Sequence, residues 1–80
     1  MTTVEIEYCV PCDLLDRAIE TQRELLAEYG QRLDAVTLRT GDGGVFVVRA
    51  GGDVILDTDE RGYDLDEIAD AVGDRIGAGA

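Results

Sequence analysis

Val4, Ile6 and Tyr8 alternate with Glu5 and Glu7 near the start of the chain, the period-two pattern of a half-buried strand over residues 3–8. The period then changes to that of a helix, predicted over residues 12–29. Leu15, Ile19, Leu26 and Tyr29 form one stripe of it, with Leu14, Ala18 and Leu25 beside them. Gly30 stands where a C′ glycine would end that helix. Residues 33–39 read as a second, less cleanly patterned strand, followed by the loop Thr40-Gly41-Asp42-Gly43-Gly44. Val45-Phe46-Val47-Val48 is a continuous apolar run, as expected of a strand covered on both faces. Gly51-Gly52 is a two-residue hairpin turn into Val54-Ile55-Leu56. After a polar loop from Asp57 to Tyr63, Asp64 can cap a last helix with Glu67 at the N3 position of a capping box. That helix carries the stripe Leu65, Ile68, Ala69, Val72 and Ile76, and the tail Gly77-Ala78-Gly79-Ala80 reads as frayed. No repeat or linker interrupts the pattern, so residues 1–80 are expected to form a single domain.

The element order is strand, helix, strand, strand, strand, helix. A right-handed crossover makes the first two strands parallel, and the Gly51-Gly52 hairpin makes the last two antiparallel. The expected fold is α/β: a four-stranded mixed sheet of order 2-1-3-4, a minimal thioredoxin-like βαβββα arrangement with the first strand central. Sites in open α/β sheets lie beyond the carboxyl ends of the parallel strands. Cys9-Val10-Pro11-Cys12 falls at such an end and holds both cysteines of the chain.

A thiol pair between a strand and a helix start points to disulfide exchange. Unpaired N–H groups and the positive end of the helix dipole favour a thiolate, the nucleophile in that chemistry. Pro11 suits a first helical turn, where no hydrogen bond is lost. The geometry read this way makes Cys9 the exposed attacker and Cys12, one turn inward, the resolving thiol. Asp13 and Asp16 oppose the dipole and temper the activation. Two buried, inert cysteines are the plainer alternative, and the proline between them at this junction argues against it. Tyr8 and Tyr63 can flank the site, although core packing accounts for both. Gly43 and Gly44 can let a peptide or glutathione backbone approach, although a plain flexible connection explains them better.

Composition removes other chemistries. The chain has no His, Ser, Asn, Lys or Trp. A Ser-His-Asp triad and a Cys-His pair are therefore excluded, as is a P-loop, which needs its lysine. Two cysteines cannot close a zinc site alone, and no metal or other cofactor is expected. Gly41-Asp42-Gly43-Gly44 opens no helix and is not a dinucleotide fingerprint. Asp57 to Gly62 fails as a calcium loop, because Arg61 takes a ligand position and Ile68 replaces the closing glutamate. Asp57, Asp59 and Glu60 read instead as a solvated acidic face.

Eighteen acids against seven arginines leave a net charge of −11. Such a chain repels itself at low ionic strength, and about 1 M salt shortens the Debye length to roughly 3 Å and removes most of that repulsion. The balance, with lysine absent, suits the cytoplasm of an extreme halophile; an ordinary acidic protein that happens to lack lysine is the plainer alternative. Nucleic acid and anionic membrane are excluded as partners for want of a basic patch. No apolar run is long enough to span a bilayer, and the N-terminus lacks a signal-peptide pattern. A cytoplasmic monomer is expected, and in that compartment a CxxC is redox-active or metal-binding rather than a structural disulfide.

The sequence also resembles the selenoprotein W-related, or Rdx, family. The resemblance rests on Val4-Glu5-Ile6-Glu7-Tyr8-Cys9-Val10-Pro11-Cys12, Arg32-Leu33-Asp34, Gly44-Val45-Phe46-Val47-Val48, the Gly51-Gly52 turn, Val54-Ile55-Leu56 and Gly62-Tyr63. It covers nearly the whole chain and implies a thioredoxin-like fold and a thiol–disulfide role, with glutathione links proposed for some members. In selenoprotein members selenocysteine occupies the position of Cys12, which points to Cys12 rather than Cys9 as the attacker. Val47 stands where relatives often carry glutamate. Thioredoxins also grip substrate with a cis-proline, and the single proline here, Pro11, cannot serve that role. Two function classes follow. One is a thiol–disulfide oxidoreductase acting on a disulfide-containing protein or a low-molecular-weight thiol. The other is a binding module that carries a metal on the cysteine pair or is gated by its redox state.

Overall fold

The structure, a computed structural model, describes residues 2–58 and 62–78. The expected elements form, with shifted ends: β1 (Thr2–Cys9), α1 (Leu15–Tyr29), a 3₁₀ turn (Gly30–Arg32), β2 (Leu33–Gly41), β3 (Phe46–Ala50), β4 (Asp53–Asp57) and α2 (Leu65–Ala78). The sheet order is β2-β1-β3-β4. β1 pairs parallel with β2 and antiparallel with β3, and β3 pairs antiparallel with β4. This is the minimal thioredoxin-like sheet that the element order implies. Asp59 to Arg61, part of the loop read as an acidic face, lie outside the described residues, as do Gly79 and Ala80.

The alternation in β1 decides the layers. Val4, Ile6 and Tyr8 join one core cluster with Ala18 and Leu25 of α1 and Ile68, Ala69, Val72 and Ile76 of α2. Both helices therefore lie on the same face of the sheet. The other face is polar. Nη1 of Arg49 on β3 sits 3.1 Å from both Glu5 and Glu7 of β1, and Arg39 of β2 lies 3.7 Å from Glu5. The expectation of a strand covered on both faces holds over Phe46 to Val48, all three buried. β3 carries helices on one face only, although Val47, in register with Glu7 and Asp57, is still buried.

The rotation of α1 also differs from the simplest reading. Ala18, Thr21 and Leu25 are its buried residues, with Leu14 and Tyr29 packed against the core. Leu15 and Leu26 of the first stripe are 44% exposed. Two overlapping stripes were available, and the chosen one includes a threonine because its hydroxyl is satisfied. Thr21 donates to the Arg17 carbonyl at 2.8 Å, which leaves its oxygen to accept from the Tyr63 hydroxyl at 2.7 Å.

The remaining local signals act as expected. Gly51 and Gly52 both have positive φ, 61° and 88°, as a tight hairpin turn requires. Val48 pairs with Leu56 but Arg49 with Val54, so Ile55 forms a bulge in the edge strand β4. Asp53 on that edge pairs with Arg75 of α2. Asp64 Oδ1 accepts the Glu67 N–H at 3.2 Å, capping α2. The Tyr29 hydroxyl donates to the Ala69 carbonyl at 2.7 Å, binding α1 to α2. Burial pushes the Tyr29 phenol up, helped by Glu28 and Asp70. Among the described residues, no helix is long and apolar enough to cross a membrane.

Candidate functional site

The sheet order determines what surrounds the cysteines. β2 and β3 flank β1, so the segment joining them must cross the carboxyl end of β1, where Cys9 sits. It does so as Gly41 to Val45. Gly43 and Gly44 turn it with φ of 70° and 82°, and the Val45 N–H reaches the Asp42 carbonyl at 3.4 Å. The crossing chain takes the backbone of the motif on both sides. The Cys9 N–H donates to the Val45 carbonyl at 2.7 Å, and the Val10 N–H to the Gly41 carbonyl at 3.1 Å. Gly41 is needed for space rather than for φ: a Cβ there would lie 2.7 Å from Val45 Cγ1 and 3.1 Å from Glu7 Oε2. The result is that Cys9 is fully buried, at 0% exposure.

The segment after Cys9 is a turn, not the start of the helix. The Asp13 N–H donates to the Val10 carbonyl at 3.2 Å, closing a β-turn with Pro11 at its second position, where the ring's fixed φ is favourable. Asp13 follows in the left-handed region at φ 62°, a conformation that a short polar side chain tolerates better than most. The first helical bond runs from the Ala18 N–H to the Leu14 carbonyl, so α1 begins at Leu15 rather than at residue 12. Three expectations are corrected by this. Pro11 serves a turn rather than a helix N1 position. Cys12 precedes the helix instead of lying in its first turn. Cys12 is exposed and Cys9 is sealed, the reverse of the expected placement. The physical reason is the crossing loop, which no local pattern around the cysteines encodes.

Cys9 and Cys12 are joined by a disulfide, their Cα atoms 5.3 Å apart. Around it, Val10 is 50% exposed and Pro11 is open to solvent. Tyr8 is a core residue, 8% exposed, and does not line the surface. Gly43 and Gly44 are exposed, with nothing within 4 Å of a Cβ built on either. Tyr63 stands edge-on to Phe46, their ring centroids 5.4 Å apart, and the Arg17 guanidinium lies over the Tyr63 ring, 4.7 Å from its centre. Phe46 is the residue after Val45, so this group braces the crossing loop from the helix side. Gly41 and Val45 are site residues that the pattern around the cysteines does not reveal. The order 2-1-3-4 could have found them, since it requires a chain to pass over Cys9. A cleft of about 300 Å³ lined by Thr3, Glu5, Arg49, Gly51 and Gly52 opens at the other end of β1, away from the cysteines. Among the described residues, no three His, Cys, Asp or Glu side chains converge as metal ligands.

A mixed sheet of order 2-1-3-4 under two helices, with a cysteine pair at the carboxyl end of its central strand, places this chain in the thioredoxin-like redox class. Within that class the chain belongs to the Rdx family, which matches residues 3–74. Two crystal structures are similar. A Bordetella parapertussis protein shares 32% identity, covers 92% of this chain and 96% of its own, and superposes with a TM-score of 0.88. A selenoprotein W-related protein from Vibrio cholerae shares 26% identity over 94% of this chain and 96% of its own, with a TM-score of 0.90. No curated protein matches.

Proposed function

We propose that this chain is a thiol–disulfide exchange protein in which Cys12 is the nucleophile and Cys9 the resolving thiol. The observation that carries the reading is the asymmetry of the pair: Cys9 is closed off beneath the crossing loop, while Cys12 stands open on the turn. A sulfur must be accessible to attack or to be attacked. The position of selenocysteine in resembled relatives favours the same assignment.

In the reduced protein the Cys12 thiolate attacks one sulfur of a substrate disulfide. A mixed disulfide forms at Cys12, and the other substrate sulfur leaves as a thiolate and takes a proton from solvent. Cys9 then releases its proton and its sulfur attacks Cys12 Sγ. The Cys9–Cys12 bond forms and the second substrate thiolate departs and is protonated. Two electrons pass from the protein dithiol to the substrate. An external dithiol, or two monothiols in turn, restores the reduced pair by attacking the same exposed Cys12.

Cys9→Ala should accumulate mixed disulfides at Cys12 with substrate, because nothing resolves them. Cys12→Ala should not. Stable adducts in Cys12→Ala alone would reverse the roles. Failure of either variant and of the native protein to exchange with any disulfide, together with tight metal binding by the reduced pair, would replace the exchange reading with a binding module.

The setting we propose is the cytoplasm of a halophile, with the protein acting as a monomer. The support is the charge balance: eighteen acids, seven arginines and no lysine. Dense negative charge opposes self-association in dilute salt and is tolerated in molar salt.

A further inference from the structure

Four large apolar side chains are exposed among the described residues, and two of them, Val10 at 50% and Leu15 at 44%, stand on either side of Cys12 along the chain. Pro11, also exposed, lies between them in the turn. Leu15 opens α1 at the edge of the buried stripe of Ala18, Thr21 and Leu25 and is not among the residues packed into the core, so burial does not account for an apolar residue there. Of the exposed charges on the same turn, the first helical turn and the crossing loop, three are acidic, Asp13, Asp16 and Asp42, against one arginine, Arg17. The nearby cation, Arg17, is engaged with the Tyr63 ring.

This rim suits one kind of disulfide and disfavours another. Oxidised glutathione is anionic and has little apolar surface. It meets like charge and cannot use the exposed Val10, Pro11 and Leu15. A polypeptide with an apolar residue beside its own disulfide covers those side chains and carries no such penalty. Building on the exchange function proposed above, we infer that the substrate taken by Cys12 is a polypeptide disulfide flanked by an apolar side chain, not an anionic low-molecular-weight disulfide.

The test uses the reduced full chain and three pyridyl disulfides, made from glutathione and from two amidated peptides, Gly-Cys-Leu-Arg and Gly-Cys-Ser-Arg. Release of pyridinethione is followed by absorbance. The leucyl peptide should react about tenfold faster than the seryl peptide, the scale expected for burying one leucine-sized contact. That ratio should persist in about 2 M potassium chloride, because an apolar contact is not screened. Glutathione should be slowest in dilute salt and should gain as salt screens the aspartates. Leu15→Ser should bring the leucyl-to-seryl ratio close to one. Leu26→Ser, an equally exposed leucine on the last turn of the same helix, should leave it unchanged. Equal rates for all three probes, or a ratio indifferent to Leu15→Ser, would overturn the inference while leaving the exchange function standing. No release from any probe would overturn the exchange function, and the inference with it.

Discussion

Gly41→Ala is the substitution that most directly tests how Cys9 is sealed. Gly41 has no positive φ, so alanine is conformationally acceptable there and reduces unfolded-chain entropy, a gain of about 0.4–1 kcal/mol. Space is the obstacle. The new Cβ would lie 2.7 Å from Val45 Cγ1 and 3.2 Å from Glu7 Cγ. Ordinary carbon contacts need about 3.5–4.0 Å, so Val45 must shift by roughly an ångström. Its carbonyl is the acceptor of the Cys9 N–H at 2.7 Å, which ties that shift to the cysteine. Overpacking of this kind costs about 1–3 kcal/mol. The net loss should be about 1–2 kcal/mol, a fall in Tm of roughly 5–10 °C for a domain of this size. The same loss should appear in local opening. Labelling of Cys9 by iodoacetamide in the reduced protein, resolved by mass spectrometry, should accelerate about 5–30-fold. Gly62→Ala is the control, since no atom lies within 4 Å of its Cβ and its φ is not positive. It should leave Cys9 labelling unchanged. Val45→Ala added to Gly41→Ala should recover part of the lost stability. If Gly41→Ala leaves both Tm and Cys9 labelling as they were, the crossing loop does not guard Cys9 and the argument for the asymmetric pair fails.

Three further outcomes are expected. Thermal stability should rise from low to molar potassium chloride, because screening relieves a net charge of −11; a Tm independent of salt would refute the halophile reading. The raised Tyr29 phenol stabilises the fold fully below its ordinary value of 10.0, and that contribution is lost as pH rises through the higher folded value. No lysine titrates in the same window. Denaturant melts of the oxidised protein should therefore show a steeper loss above about pH 10 in the native chain than in Tyr29→Phe, and identical slopes would count against it. A Cβ at Gly73 would lie 2.5 Å from the Tyr29 hydroxyl. Gly73→Ala should accordingly destabilise despite a helix-propensity gain of about 0.8–1 kcal/mol. It should turn neutral or stabilising in a Tyr29→Phe background, and additive effects in the double-mutant cycle would show that the two do not meet.

Much of this protein is legible in the chain because the relevant physics is local. The alternation of Val4, Ile6 and Tyr8, the Gly51-Gly52 turn, and Asp64 with Glu67 each specify an element or its end through neighbouring residues. Together with the handedness of the β1–α1–β2 crossover, they lead to the sheet order. The CxxC at the carboxyl end of the central strand follows from the same steps. Three features depend on residues distant in sequence. The first is the face of α1 that turns inward: two apolar stripes compete, and Tyr63, from the far end of the chain, makes a buried Thr21 acceptable. The second is the start of α1, delayed to Leu15 by the Val10–Asp13 turn, whose first residue is held by the distant Gly41 carbonyl. The third is the placement of the two sulfurs. The sequence alone determines that Cys9 and Cys12 share a corner, because two residues cannot carry the chain further. Only the tertiary structure decides that Cys9 is closed and Cys12 open. The segment that closes Cys9 belongs to the connection from β2 to β3, and its backbone contacts form once those strands flank β1.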